Sequence, residues 1–240
     1  MFDGLEIIFR VGRKNYRFNF SGISGKDFIV QNEIYQIIRG GLDEVLFDFD
    51  NRIKTLEVHV PSNFIRIVDG KLDCADQFVE LIRGASDDLI RDIKFFAQIL
   101  QFGVNDGTLV YIGLVDTSIA TLDDGQLMNI QTIPIGFSHL VNDLMVVKKI
   151  SSETAIDILN QAVITLEADQ RESYDAGGKH FAVREINDIV KSRIEELGEE
   201  IIDYIRAKPI SLAGRDFESV HGARNYLAQI IGMNIKSCQS

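Results

Sequence analysis

Apolar and polar positions fall into three short extended runs over residues 109–113, 118–123 and 126–135, separated by the turn formers Asp116-Thr117 and Asp124-Gly125. Runs of this length with such short connections predict an antiparallel meander. The period then changes to helical over 137–147 and 152–163, and Ser151-Ser-Glu-Thr offers a capping start to the second helix. A longer helix is predicted over 181–207, where Ile186, Ile189, Val190, Ile194, Leu197, Ile201, Ile202 and Ile205 recur at three- and four-residue intervals. Before it, Asp175-Ala-Gly-Gly178 reads as a flexible loop. Lys208-Pro209 stops the helix, and a short buried strand at 210–212, a helix at 223–231 ending on Gly232, and a last strand at 233–237 follow. Three strands, helices, then strand, helix and strand predict a mixed sheet flanked by helices.

The first hundred residues alternate differently. Residues 5–20 read as two strands around a turn at 12–15. Ile34, Ile37 and Ile38 give one stripe to a helix starting at 27 or 31 and stopped by Gly40-Gly41. Strands are predicted at 42–49 and 53–60 about Asp50-Asn51, with Leu56, Val58 and Val60 on one face, and a short extended piece at 63–68. Residues 75–102 read as helical, divided near 84–86, because Phe78, Val79, Leu81 and Ile82 form one arc and Leu89, Ile90, Ile93, Phe96, Ile99 and Leu100 another. The expected division is an N-terminal lobe over 1–105 and a second lobe over 106–240.

Composition narrows the function more than the fold. With 45% hydrophobic residues in 240, the chain can bury one sizeable core or two modest ones. Its net charge of −11 opposes a phosphate backbone, so no nucleic-acid partner is expected. Arg10, Arg13, Lys14 and Arg17 form the only basic cluster; its near-alternation with Val11, Tyr16, Phe18 and Phe20 fits the solvent face of a hairpin or a protein-docking face. No apolar stretch approaches the ~20 residues of a membrane span, and the N-terminus lacks a signal-peptide layout, so a cytoplasmic location is expected. Cys74 and Cys238 lie far apart and the four histidines form no ligand motif, so no metal centre is expected.

Three segments of the second lobe carry a resemblance: Leu109-Val-Tyr-Ile-Gly-Leu-Val-Asp-Thr-Ser-Ile-Ala, Ile133-Pro-Ile-Gly-Phe-Ser-His-Leu-Val-Asn-Asp, and Leu212-Ala-Gly-Arg-Asp, with Arg193-Ile-Glu-Glu-Leu between the last two. Over about residues 107–240 this order resembles the actin/Hsp70-like ATPase superfamily, and within it the bacterial cell-division protein FtsA and its relatives in pilus assembly. The resemblance implies an α/β, actin-like (ribonuclease H-like) fold of mixed sheets flanked by helices, with a divergent or reduced N-terminal lobe. It also implies nucleotide-binding positions: Gly113 and Thr117 in a phosphate turn, Gly136 in the second motif, Arg193 and Glu196 on a helix near the nucleoside, and Gly214 with Arg215 at the adenosine turn.

The departures from the family pattern point away from hydrolysis. Tyr111 stands where an acidic residue is usual, Leu114 and Phe137 stand at second-glycine positions, and Arg215 replaces another glycine. Leu brings apolar bulk where an anion would sit, and Tyr cannot hold a divalent cation as a carboxylate does. Asp3-Gly4 lacks the phosphate-turn context of the family's first lobe. Hydrolysis needs metal, phosphate donors and a positioned water together. In the structural reading Asp116 faces solvent, Phe137 is a plug and His139 is exposed or capped. The expected function is a degenerate actin-like scaffold or adaptor in a bacterial cytoplasmic assembly, in division, cell shape or pili, with no catalytic residues and no required cofactor. The alternatives are an ATP-binding polymer or membrane-complex adaptor with ATP and Mg²⁺ at these nucleotide-binding positions, and an unrelated small-molecule enzyme. A protein partner or a homo-oligomer is expected, with membranes reached only through a partner.

Overall fold

The computed structural model describes residues 4–11, 14–21, 39, 55–60, 62, 65–69, 71–74, 79–80, 83–84, 92–165 and 173–238. The chain divides into two compact units, Met1–Gly103 with Leu127–Ile130, and Val104–Gln126 with Gln131–Ser240.

In the first unit, strands β1 (Gly4–Val11) and β2 (Lys14–Ser21) pair antiparallel from Gly4 opposite Ser21 to Val11 opposite Lys14. Strand β3 (Thr55–Val60) pairs antiparallel with β1, and the small hairpin of β4 (Ile65–Val68) and β5 (Lys71–Cys74) forms its own two-stranded sheet. Val58 and Val60 are buried, as their alternation predicts. The predicted helix through 102 is corrected here: Asp92–Ala97 is strand β6, parallel to β3, and only a 3-10 turn at Gln98–Phe102 follows. Ile93, Phe95 and Phe96 suit a pleated surface at least as well as a helix, and a partner strand decides between them. Residues 79–80 and 83–84 are helical, while the rest of the expected arc over 75–91 lies outside the described residues. So do the helix expected before Gly40, the strand at 42–49, Arg13, and the side chains of Arg10, Lys14 and Arg17.

A five-stranded sheet runs in the order β13-β12-β7-β8-β9, from β7 (Gly107–Ile112), β8 (Thr117–Asp123), β9 (Gln126–Ile133), β12 (Ile210–Ala213) and β13 (Ile235–Ser237), all of it except Leu127–Ile130 belonging to the second unit. The meander strands β7 and β8 are antiparallel, whereas β12 joins β7 in parallel and β13 joins β12 in parallel. All four residues of β12 and five of the six in β7 are buried, because strands inside a helix-covered sheet are enclosed on both faces.

Among the described residues this unit has five helices: α1 (Phe137–Lys148), α2 (Ser152–Gln161), α3 (Val183–Ile202), α4 (Arg215–Ser219) and α5 (Ala223–Ile231). Ser151 caps α2 by accepting the Thr154 backbone N–H at 3.3 Å, as its position predicts. Val183, Ile186, Val190, Ile194, Leu197 and Ile201 make the buried stripe of α3. The expected flexible loop is instead a β-hairpin of β10 (Ser173–Ala176) and β11 (Lys179–Ala182), with Gly177 and Gly178 taking the left-handed turn at φ 56° and 72°. The buried Tyr174 hydroxyl donates to Asn187 Oδ1 at 2.9 Å and accepts from Val163 N at 3.2 Å, while Asn187 Nδ2 donates to Val163 O at 3.1 Å. This closed polar set fixes the hairpin to α3, since each buried polar group finds a partner.

Candidate functional site

The tight turn after β7 is closed by its own backbone, with Gly113 N–H donating to Asp116 O at 2.8 Å. The start of α1 then docks on it. Phe137 N–H donates to Gly113 O at 2.9 Å and Ser138 N–H to Leu114 O at 2.7 Å, so two helix N–H groups that lack intrahelical acceptors are taken by the turn. Thr117 Oγ1 donates to Ile135 O at 2.6 Å. His139 accepts the Gly136 N–H on Nδ1 at 3.1 Å, a capping role.

Gly136 is required here for a local reason. A Cβ on it would lie 2.6 Å from Asp116 N and 2.7 Å from both Gly113 O and Leu114 O, so the turn and the helix start can meet only over a glycine. Gly214 has φ 145°, and a Cβ there would stand 2.5 Å from Ile112 O. The three motif turns therefore converge at the end of β7. Arg215 opens α4 and is exposed, so it does not fill the convergence.

Arg193 and Glu196 of α3 are tied to α1 rather than to the turns themselves. The Arg193 guanidinium grips Asp143 with both arms, Nε to Oδ2 at 2.7 Å and Nη2 to Oδ1 at 2.9 Å, and its Nη1 donates to Glu196 Oε2 at 2.5 Å. With side chains 21% and 23% exposed, Arg193 and Asp143 form a partly shielded pair, and the hydrogen bonds to Asp143 hold the guanidinium above its ordinary range. Lys148 bonds Glu185 between the same two helices. On the same helix α3, Glu195 accepts the Tyr226 hydroxyl, and Lys191 Nζ lies 5.5 Å from the Tyr226 ring centre. Burial, then the Glu195 contact, pushes the Tyr226 phenol up to about 12.

Asp116 departs from the expectation of a solvent-facing side chain. It is only partly exposed, and burial raises its carboxyl above the ordinary value. Phe137 is buried, as a plug would be, but Leu114 stands 37% exposed at the lip of an apolar groove. That groove, about 490 Å³, is lined by Leu114, Phe137, Val141 and Met145 with Ile156 of α2 across from them, and by the polar Ser138, His139 and Asn142. Sequence reasoning missed it, although Phe137, Val141 and Met145 recur at the four-residue spacing of one helix face.

No three His, Cys, Asp or Glu side chains among the described residues group closely enough to hold a metal ion, and no described helix is long and apolar enough to cross a membrane. Gly113 N–H, Thr117 Oγ1 and three of the Arg193 N–H groups each donate to an acceptor within the chain.

A mixed parallel and antiparallel sheet flanked by helices is the architecture of the actin-like fold. Solved structures agree over nearly the whole chain. Ethanolamine utilization protein EutJ from Carboxydothermus hydrogenoformans matches with a TM-score of 0.59 and 17% identity, over 99% of this chain and 82% of its own. MreB5 of Spiroplasma citri bound to ADP matches with a TM-score of 0.67 and 11% identity, over 98% and 84%. The PilM-PilN type IV pilus biogenesis complex contains a chain that matches with a TM-score of 0.52 and 11% identity, over 98% and 88%. No protein-family model and no curated protein matches the sequence.

Proposed function

We propose that this chain is a degenerate actin-like scaffold or adaptor of a bacterial cytoplasmic assembly concerned with division, cell shape or pili, most akin to FtsA and its pilus relatives, and that it works without efficient ATP hydrolysis. The reading takes residues 1–105 as a divergent lobe and 106–240 as the actin-like lobe. One observation carries it. The first two N–H groups of α1 bond Gly113 O and Leu114 O, where a phosphate-binding helix start would direct them at an anion. Arg193 is likewise engaged by Asp143 and Glu196. Among the fold relatives, MreB5 is bound to ADP and PilM is in complex with PilN; a chain whose phosphate turn is closed on itself fits the second kind of role better.

The test is calorimetric titration with ATP, ADP and Mg²⁺. The scaffold reading expects no binding heat up to millimolar nucleotide, and submillimolar, metal-dependent binding overturns it. A second reading has one observation in its favour: Arg215 is exposed beside Gly214, free of the convergence and able to stack on a base. In that reading Gly113, Thr117, Gly136, Arg193, Glu196, Gly214 and Arg215 hold a nucleotide. Nucleotide surviving purification, and lost with Arg215→Ala, would decide for it.

A further inference from the structure

Two of the three departures from the family's glycine pattern meet in space. Leu114 and Phe137 both line the groove beside α1, and Val141, Met145 and Ile156 complete its apolar surface. Ile156 is 41% exposed on α2, so the groove is open at its rim and does not belong to the sealed core. Its volume of about 490 Å³ can take several apolar side chains. Two helices side by side, α1 with Val141 and Met145 one turn apart and α2 with Ile156 opposite, form the seat into which a third helix packs its own ridge.

Charge narrows the occupant. Helix α2 carries Glu153 and Asp157 on either side of Ile156, both exposed, and contains no Lys or Arg. Asp116 lies in the turn that supplies Leu114. Of the cations on α1 and α3, Lys148 is held by Glu185, Arg193 by Asp143, Arg184 lies 4.0 Å from Asp188 and Lys191 stands over the Tyr226 ring, while Lys149 is exposed just beyond the end of α1. The rim beside Ile156 is thus acidic, on a chain whose net charge is −11.

We propose that this groove docks a short amphipathic helix of a partner protein, with Leu-type residues on one face and Lys or Arg flanking them. The substituted positions then have a positive role: Leu114 of the turn and Phe137 of α1 become walls of a peptide seat. The proposal rests on the scaffold reading only in taking the chain to act through protein partners.

The test uses the full chain and a fluorescent designed peptide of about 18 residues, with Leu at helical i, i+3, i+4 and i+7 spacing and Lys elsewhere, beside a counterpart carrying Glu in place of Lys. Anisotropy is read at about 150 mM salt, where long-range attraction is screened. One-to-one binding of the Lys peptide is expected, weakened at least about tenfold by Ile156→Asp and by Leu114→Asp, and several-fold by Glu153→Lys with Asp157→Lys. Ile202→Asp, an exposed apolar position on α3 outside the groove, should leave it unchanged. Thermal melting of each variant accompanies the titration, and both groove positions are partly exposed, so the fold should persist. Equal binding of the Glu peptide, or binding indifferent to Ile156→Asp and Leu114→Asp, overturns the proposal. Absence of binding overturns it too; if ATP is then also silent, the scaffold reading stands without this groove, whereas ATP binding overturns the scaffold reading whatever the peptide does.

Discussion

Gly136 shows how a residue can be legible in sequence for a reason that only the fold explains. Its place in a Pro-Ile-Gly motif marks it as special, but what demands glycine is the backbone of residues 113–116 packed against it. Gly136→Ala is expected to cost about 3 kcal/mol or more in urea unfolding, because the obstructing atoms are backbone and cannot swing aside. Asp143 and Arg193 were both legible, their mutual grip was not, since fifty positions separate them along the chain. Asp143→Ala or Arg193→Ala alone should cost roughly 1–3 kcal/mol, and the double variant should cost less than the sum of the two. Asp116 gives a pH signature. Burial raises its folded pKa above the unfolded value, so the folded state binds the proton more tightly and the stability linked to this group is lost as pH rises through the carboxylate range. Asp116→Asn should therefore raise the melting temperature at pH 7, with the gain vanishing near pH 3, below the ordinary pKa of ~3.9. A gain of the same size at both pH values would contradict the assignment.

At the scale of elements, local signals succeeded where they were strong. Ser151 starts α2 and Gly232, at φ 70°, ends α5, each through a cap that a few neighbouring residues specify. Ser151→Ala is expected to cost about 1 kcal/mol, measured as a lowered denaturation midpoint with unchanged m-value. β6 is the opposite case. Its apolar run is short enough to serve a helix or a strand, and pairing with β3 from Thr55 opposite Asp92 to Val60 opposite Ala97 settles it. The β4–β5 hairpin leaves a chemical mark: Cys74, buried at the end of β5, has its thiol pushed up to about 11, by burial first and then by Asp73. At pH 8 its alkylation should be many times slower in the folded chain than in urea, by mass spectrometry of the Cys74 peptide; equal rates would mean that the site is open.

For the whole molecule, self-assembly is the outstanding question. The basic run Arg10, Arg13, Lys14 and Arg17 and the acidic run Glu195, Glu196, Glu199 and Glu200 are complementary in sign. If they join copies, sedimentation should show oligomers that dissociate as salt rises from about 50 to 500 mM, whereas a monomer at every concentration rejects self-association through these charges. The sequence by itself determined the meander, the helices α1, α2, α3 and α5 and the strands β12 and β13 after it, because short-range periodicity, caps and turn residues encode them locally. It likewise marked the loss of glycine at Leu114 and Phe137. Only the tertiary structure decided that β6 is a strand, that residues 173–182 form a hairpin, that α1's first N–H groups serve the turn after β7, and that Leu114, Met145 and Ile156 share a groove. Each of these depends on atoms far apart along the chain, and their meeting is set by the packing of the folded unit, which local residue preferences do not encode.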